Sequence, residues 1–143
     1  MPSSDTMSGP KYSLFSSWYF SLSTSVQYAH ARICSLLANL SEAGITPDAA
    51  HLDALTAPEE TALIRLLASL PDELLTAARE RDPSRVNKYL IAAAGAFHRF
   101  YTACRIRGAG EPYEGARAYL AARTRDILAA GLGIIRVDAP THM

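Results

Sequence analysis

With 143 residues, 49% of them hydrophobic, the chain is sized for one folded domain with a substantial core. Its 14 Lys and Arg balance 14 Asp and Glu, and a net charge of zero excludes a protein that grips nucleic acid over its whole surface. No apolar run approaches the ~18 residues of a membrane span, and no basic leader precedes a cleavage-like site, so a soluble, cytoplasmic protein is expected.

Residues 1–21 are Ser-rich, carry Gly9-Pro10 and the aromatic cluster Trp18, Tyr19 and Phe20, and show no sustained period. They are expected to form a poorly ordered segment ahead of a domain spanning 22–143. The first helix is predicted over 22–40, where Val26, Ala29, Ile33, Leu36, Leu37 and Leu40 make one apolar stripe, and Gly44 stops it. At about 100° per residue, Tyr28 and Arg32 fall together well off that stripe, and His30 lies on its margin.

After a turn at Thr46-Pro47-Asp48, Leu52 and Leu55 anchor a short segment. Pro58-Glu59-Glu60 then opens a second helix, with proline in the first turn and acids at the positive end of the helix dipole. Pro71-Asp72-Glu73 opens a third, and Asp82 followed by Pro83 is a capping signal for the fourth. That fourth helix is predicted to be the longest, over 84–106, with Val86, Leu90, Ala93, Phe97, Phe100 and Cys104 inward. His98, Tyr101 and Arg105 follow an i, i+3, i+7 spacing and are expected in line beside that core stripe. The last helix is predicted over 113–130, with Gly131-Leu132-Gly133 as its break. No alternating strand pattern appears, so the expected fold is all-α, an antiparallel bundle of about five helices.

Cys34 and Cys104 lie on apolar helical faces and are read as reduced, buried thiols. The four histidines are scattered and are read as forming no metal site. Charge is uneven along the chain. From Glu42 to Glu73 seven acids face one base, Arg65, whereas from Arg79 to Arg136 eleven bases face five acids, and ten of those bases are arginine. Arginine is the side chain best suited to phosphate forks and base stacking, so the second half is the expected side of an anionic partner.

Three segments resemble the C-terminal, DALR-type anticodon-binding domain of class I arginyl-tRNA synthetases over residues 24–143. The first is Val26-Gln27-Tyr28-Ala29-His30-Ala31-Arg32-Ile33. The second is Tyr89-Leu90 followed by Ala96-Phe97-His98-Arg99-Phe100-Tyr101-Thr102-Ala103-Cys104-Arg105. The third is Ala116-Arg117-Ala118-Tyr119-Leu120, then Ile127-Leu128-Ala129-Ala130-Gly131-Leu132-Gly133-Ile134-Ile135 and the ending Ala139-Pro140-Thr141-His142-Met143. The chain departs from the family pattern at Arg136, where Gly is usual, at Thr141-His142, where Glu-Arg is usual, and before the first helix, where Ser21 to Ser25 replace an Asn-Pro-aromatic lead-in.

The resemblance implies a module that holds the anticodon stem-loop of an arginine tRNA. Recognition of unpaired bases needs aromatic or guanidinium planes outside the core and cations for the phosphates. Tyr28, Arg32, His98, Tyr101 and Arg105 meet that need by periodicity, and the resemblance points independently to Tyr28, Tyr101 and Met143. His30 and Arg117 are assigned to structural or interdomain contacts. A class I synthetase also needs a nucleotide-binding fold with His-x-Gly-His and Lys-Met-Ser-Lys-Ser-like signatures, and none of this chain's histidines or its two lysines, Lys11 and Lys88, stands in such a context. No catalytic residue and no cofactor is therefore expected here. ATP and arginine would bind an absent catalytic domain, supplied by a separate synthetase chain, and the chain would contribute to aminoacylation only with it. The alternative is a truncated or duplicated synthetase relic acting as a protein-interaction module.

Overall fold

A computed structural model describes residues 10–135, with side chains from residue 24 onward. Among the described residues five helices follow one another, α1 (Pro10–Glu42), α2 (Pro58–Ala68), α3 (Leu70–Glu80), α4 (Ser84–Ala103) and α5 (Tyr113–Ile134), with a 3-10 turn at Leu52–Ala54. No strand occurs among the described residues, and the class is all-α as the periodicity predicts. None of these helices is long and apolar enough to cross a membrane.

The helix ends follow from local chemistry. The α1 backbone is already helical at Pro10, ahead of the expected start at residue 22, and no glycine or proline interrupts the sequence from there to Glu42. Its far end is a Schellman cap. Gly44 takes φ +84°, which costs a residue without Cβ little, and this lets Ile45 N–H reach the Leu40 carbonyl at 2.8 Å and Gly44 N–H reach that of Ser41 at 3.0 Å. Ile45 and Leu40, brought together by the cap, are both buried.

Only Ser69 separates α2 from α3, and its hydroxyl donates to the Leu66 carbonyl at 2.7 Å, satisfying one of the acceptors left free at the end of α2. The α3 terminus uses the same left-handed geometry as α1 but with Arg81 at φ 52°, and Asp82 N–H closes on the Ala77 carbonyl at 2.9 Å. Asp82, one residue ahead of the N-cap Pro83, ties down the start of the next helix. Its Oδ1 accepts the Ser84 N–H at 3.1 Å and also the Ser84 hydroxyl, the bond that chiefly holds its carboxyl below the usual aspartate range.

The α4 helix is the spine, in contact with all four other helices. Val86, Leu90, Ala93, Phe97 and Phe100 are buried along it at the predicted spacing. Leu63, Leu90, Phe100, Leu128 and Leu132 are fully excluded from water, and each such side chain contributes about 1.5–3 kcal/mol. Tyr89 is also buried and donates its hydroxyl to the Leu66 carbonyl at 2.7 Å, fastening the end of α2 to α4.

Two further boundaries differ from the sequence reading, and α4, at 20 residues, is not the longest helix as expected, since α1 has 33 and α5 has 22. The α4 helix ends at Ala103 instead of 106, because Cys104 turns extended (φ −120°, ψ 116°). The α5 helix runs through Gly131 to Ile134 instead of breaking at that glycine. Gly131 is buried inside the helix, where a Cβ would meet Leu90 Cδ1 at 2.9 Å and Cγ at 3.0 Å and overlap Cδ2. It is there because α4 and α5 approach too closely for a side chain.

Candidate functional site

A groove of about 360 Å³ lies between α1 and α4. Tyr28, Arg32, Ser35 and Asn39 line it from α1, and Phe97, His98 and Tyr101 from α4. Four of the residues singled out from the sequence, Tyr28, Arg32, His98 and Tyr101, thus share one concavity although about seventy positions separate the two pairs. The reason is the helical period: Tyr28 and Arg32 stand off the α1 core stripe marked by Val26 and Ile33, and His98 and Tyr101 stand off the α4 stripe marked by Phe97 and Phe100.

Both tyrosines are open to solvent, Tyr28 by 54% and Tyr101 by 42%. Each is oriented by one neighbour. The Arg32 guanidinium lies 5.9 Å from the Tyr28 ring centroid, within cation–π range. The Tyr101 ring lies nearly parallel to Phe97, with centroids 6.1 Å apart and planes 9° apart, while Phe97 itself contacts the core ring of Phe100 at 5.7 Å. A groove with an aromatic ring on each wall, a guanidinium and an imidazole suits planar rings joined by anionic linkers.

Arg105 does not join that line. Because α4 ends at Ala103, buried Cys104 and Ile106 pull the chain into an extended path, and exposed Arg105 and Arg107 alternate with them. The expected in-line stripe therefore stops at Tyr101. Met143 lies outside the described residues.

His30 and Arg117 sit where structural roles would put them. His30 is buried, and both of its ring nitrogens lie 3.9 Å from Cys34 Sγ. That four-residue spacing is legible in the sequence, so His30 is paired with a cysteine and not isolated as the scattered placement of the histidines implies. Among the described residues no group of three or more potential ligands gathers around it or elsewhere. Burial raises the Cys34 thiol above its ordinary range, with the nearby Arg125 opposing, and burial raises that of Cys104 as well. Cys34 is only half-buried, however, where full burial was expected.

Arg117 ties three parts of the chain together. Its Nε donates to Glu60 Oε2 at 2.6 Å, its NH1 donates to the Arg105 carbonyl at 2.6 Å, and its guanidinium lies 5.0 Å from the Tyr113 ring centroid. Glu60 is 1% exposed, and its other oxygen accepts the Ala57 N–H at 3.0 Å. Sequence reasoning took Glu60 for a first-turn acid and missed its partner, 57 positions away. No local pattern could have shown the pair.

The family of the "DALR anticodon binding domain" matches residues 26–143. An arginine–tRNA ligase of Frankia alni is 46% identical over 124 residues, which are 82% of this chain and 22% of that protein. Among solved structures, Thermus thermophilus arginyl-tRNA synthetase superposes with a TM-score of 0.69 at 31% identity, over 82% of this chain and 20% of that one. A putative arginyl-tRNA synthetase from Campylobacter jejuni gives the same TM-score at 20% identity, over 85% of this chain and 26% of that one, and shares the fold. The chain thus spans between a fifth and about a quarter of the length of the proteins it matches.

Proposed function

The chain belongs to the DALR anticodon binding domain family, and we propose that it holds the anticodon stem-loop of an arginine tRNA in the groove between α1 and α4. One observation carries this reading: two exposed tyrosines from separate helices flank the same groove, with Arg32 and His98 between them. Unpaired bases of the loop stack on Tyr28 and Tyr101, Arg32 and His98 supply hydrogen bonds or neutralise phosphates, and Arg105 takes a phosphate just beyond the groove. Met143 would close the site from the C-terminal end, as the family resemblance implies.

The part of each relative named as a ligase or synthetase that this chain covers is only 20–26% of that protein. Aminoacylation is accordingly proposed only for this chain joined to, or accompanied by, a catalytic portion that binds ATP and arginine. Acting alone, the module forgoes the gain of engaging the tRNA at two places, so its affinity is modest and falls with salt.

Titration of the purified chain with arginine tRNA tests the reading. Tyr28→Ala and Tyr101→Ala each lose about 1–3 kcal/mol of stacking, a roughly 5- to 150-fold weaker Kd, with helix content by circular dichroism unchanged. Parent-like binding by both variants, or unfolding of both, would show that the rings are not the contact surface.

A further inference from the structure

We propose that residues 104–110 form a phosphate-contact strap beside the groove, with Arg105 and Arg107 as its contacts, and that Arg117 is the residue that positions it. The inference rests on the tRNA-binding reading and extends it to two guanidinia presented by a segment that is not helical, and to a positioning residue on a third helix. Its ligand is the sugar-phosphate backbone of the bound RNA.

The strap is a built element. Buried Cys104 and Ile106 anchor it, so Arg105 and Arg107 both face water, and neither shows an ion-pair partner among the described residues. Of the other arginines from Arg79 to Arg125, Arg85 pairs with Glu73 and Glu80, Arg123 and Arg125 with Asp126 and Arg117 with Glu60, while Arg79, Arg81 and Arg99 likewise show no ion pair among the described residues. Gly108 and Gly110 turn the chain at φ +85° and +82°, and the Gly108 N–H is held by Glu114 Oε2 at 2.9 Å. The Arg105 side chain passes over Gly108, where its Cδ would stand 3.7 Å from an added Cβ. The strap begins three residues after Tyr101, where α4 ends, so it leaves the helix that carries one aromatic wall of the groove.

Arg117 fixes the strap from behind. Its NH1 holds the Arg105 carbonyl while its Nε is tied to the buried Glu60 and its plane rests on Tyr113. The planar fork holds two acceptors in set directions at once, which a lysine ammonium on a flexible stem does not do. Arg117→Lys therefore keeps a cation beside Glu60 and releases the strap.

The test compares tRNA binding across salt for the parent, the double variant Arg105→Gln/Arg107→Gln, Arg117→Lys and Tyr113→Leu, the last of which loosens the fork without unpairing Glu60. Two phosphate contacts carry a slope of log K against log[salt] of about 1.4–1.8. The double variant should lose that slope, roughly tenfold in affinity between 200 and 50 mM salt. Arg117→Lys and Tyr113→Leu should each lose part of it. In the Arg117→Lys background, Arg105→Gln should have less than half its effect in the parent. Amide exchange of residues 105–110 in the free protein should quicken at least tenfold in Arg117→Lys, a readout independent of RNA. A double variant that keeps the parent's slope sinks the strap. Arg117→Lys and Tyr113→Leu with the parent's slope and slow exchange sink the positioning role, whatever their melting temperatures. If the Tyr28 and Tyr101 variants lose binding while these do not, the groove reading stands and this inference alone fails. If the parent binds no tRNA, both fall.

Discussion

Two glycines in the last turn and a half of α5 should respond to the same substitution with opposite signs. In a helix interior, Gly→Ala gains roughly 0.5–1 kcal/mol, because alanine has less backbone entropy to lose. At Gly133 nothing lies within 4 Å of the added methyl, so that gain survives, reduced by the proximity of the helix end. At Gly131 the methyl would overlap Leu90, whose Cδ1 and Cγ are 2.9 and 3.0 Å away. Leu90 is 0% exposed on the central helix and has nowhere to turn, so overpacking costs about 1–3 kcal/mol and outweighs the propensity gain. Gly131→Ala should therefore be net destabilising by about 1–2 kcal/mol, lowering Tm by roughly 3–10 °C, while Gly133→Ala raises it by about 2 °C. Thermal melts followed by circular dichroism measure both. The double variant Gly131→Ala/Leu90→Ala should cost less than the sum of its parts, because the second truncation makes room for the first. Equal melting temperatures for the two single alanine variants would refute a rigid close approach of α4 and α5.

Removing Arg117 as Arg117→Ala strands the Glu60 carboxylate at 1% exposure and should cost about 3–5 kcal/mol in urea unfolding; a loss under about 1 kcal/mol would mean that water reaches the carboxylate. Arg81→Gly relieves a non-glycine left-handed residue at the end of α3, so it should raise stability by about 0.5–1 kcal/mol, and no gain by calorimetry would place the cost elsewhere. Burial raises the folded-state pKa of Cys104 and of Tyr89, so the stability each contributes is complete below its unfolded value, about 8.5 and 10, and is lost as pH climbs from there through the folded value. Melting temperature should hold to about pH 8 and fall above it, with a shallower fall in Cys104→Ala and Tyr89→Phe; an alkaline limb identical in all three proteins would contradict this.

Where an element stays regular, its faces are legible in advance. Tyr28 and Arg32 are exposed together because α1 remains helical through both, and 100° increments locate them. Arg105 defeats the same arithmetic because burial of Cys104 and Ile106 ends α4 first, a tertiary preference that overrides local propensity. Gly131 misleads for a related reason: a glycine near a helix end and a glycine demanded by a neighbouring leucine look alike in sequence. The Glu60–Arg117 pair is invisible to any windowed pattern, whereas His30 and Cys34 were within reach of one. The groove was legible as two faces, and their meeting came only from the packing of α1 against α4.

The two aromatic walls of the groove are not equivalent partners for a ligand. Tyr101 leans on Phe97, which is locked into the core through Phe100, so its plane is set before anything arrives and little rotamer freedom remains to be lost. Tyr28 faces a surface arginine nearly 6 Å away and is more than half open to water. One wall is set in advance and the other is less constrained. A ring entering the groove would find its register against the Tyr101 wall, and the Tyr28 wall would close to its thickness. Discrimination between ligands would therefore reside on the preset side, and tolerance of differently sized rings on the less constrained one.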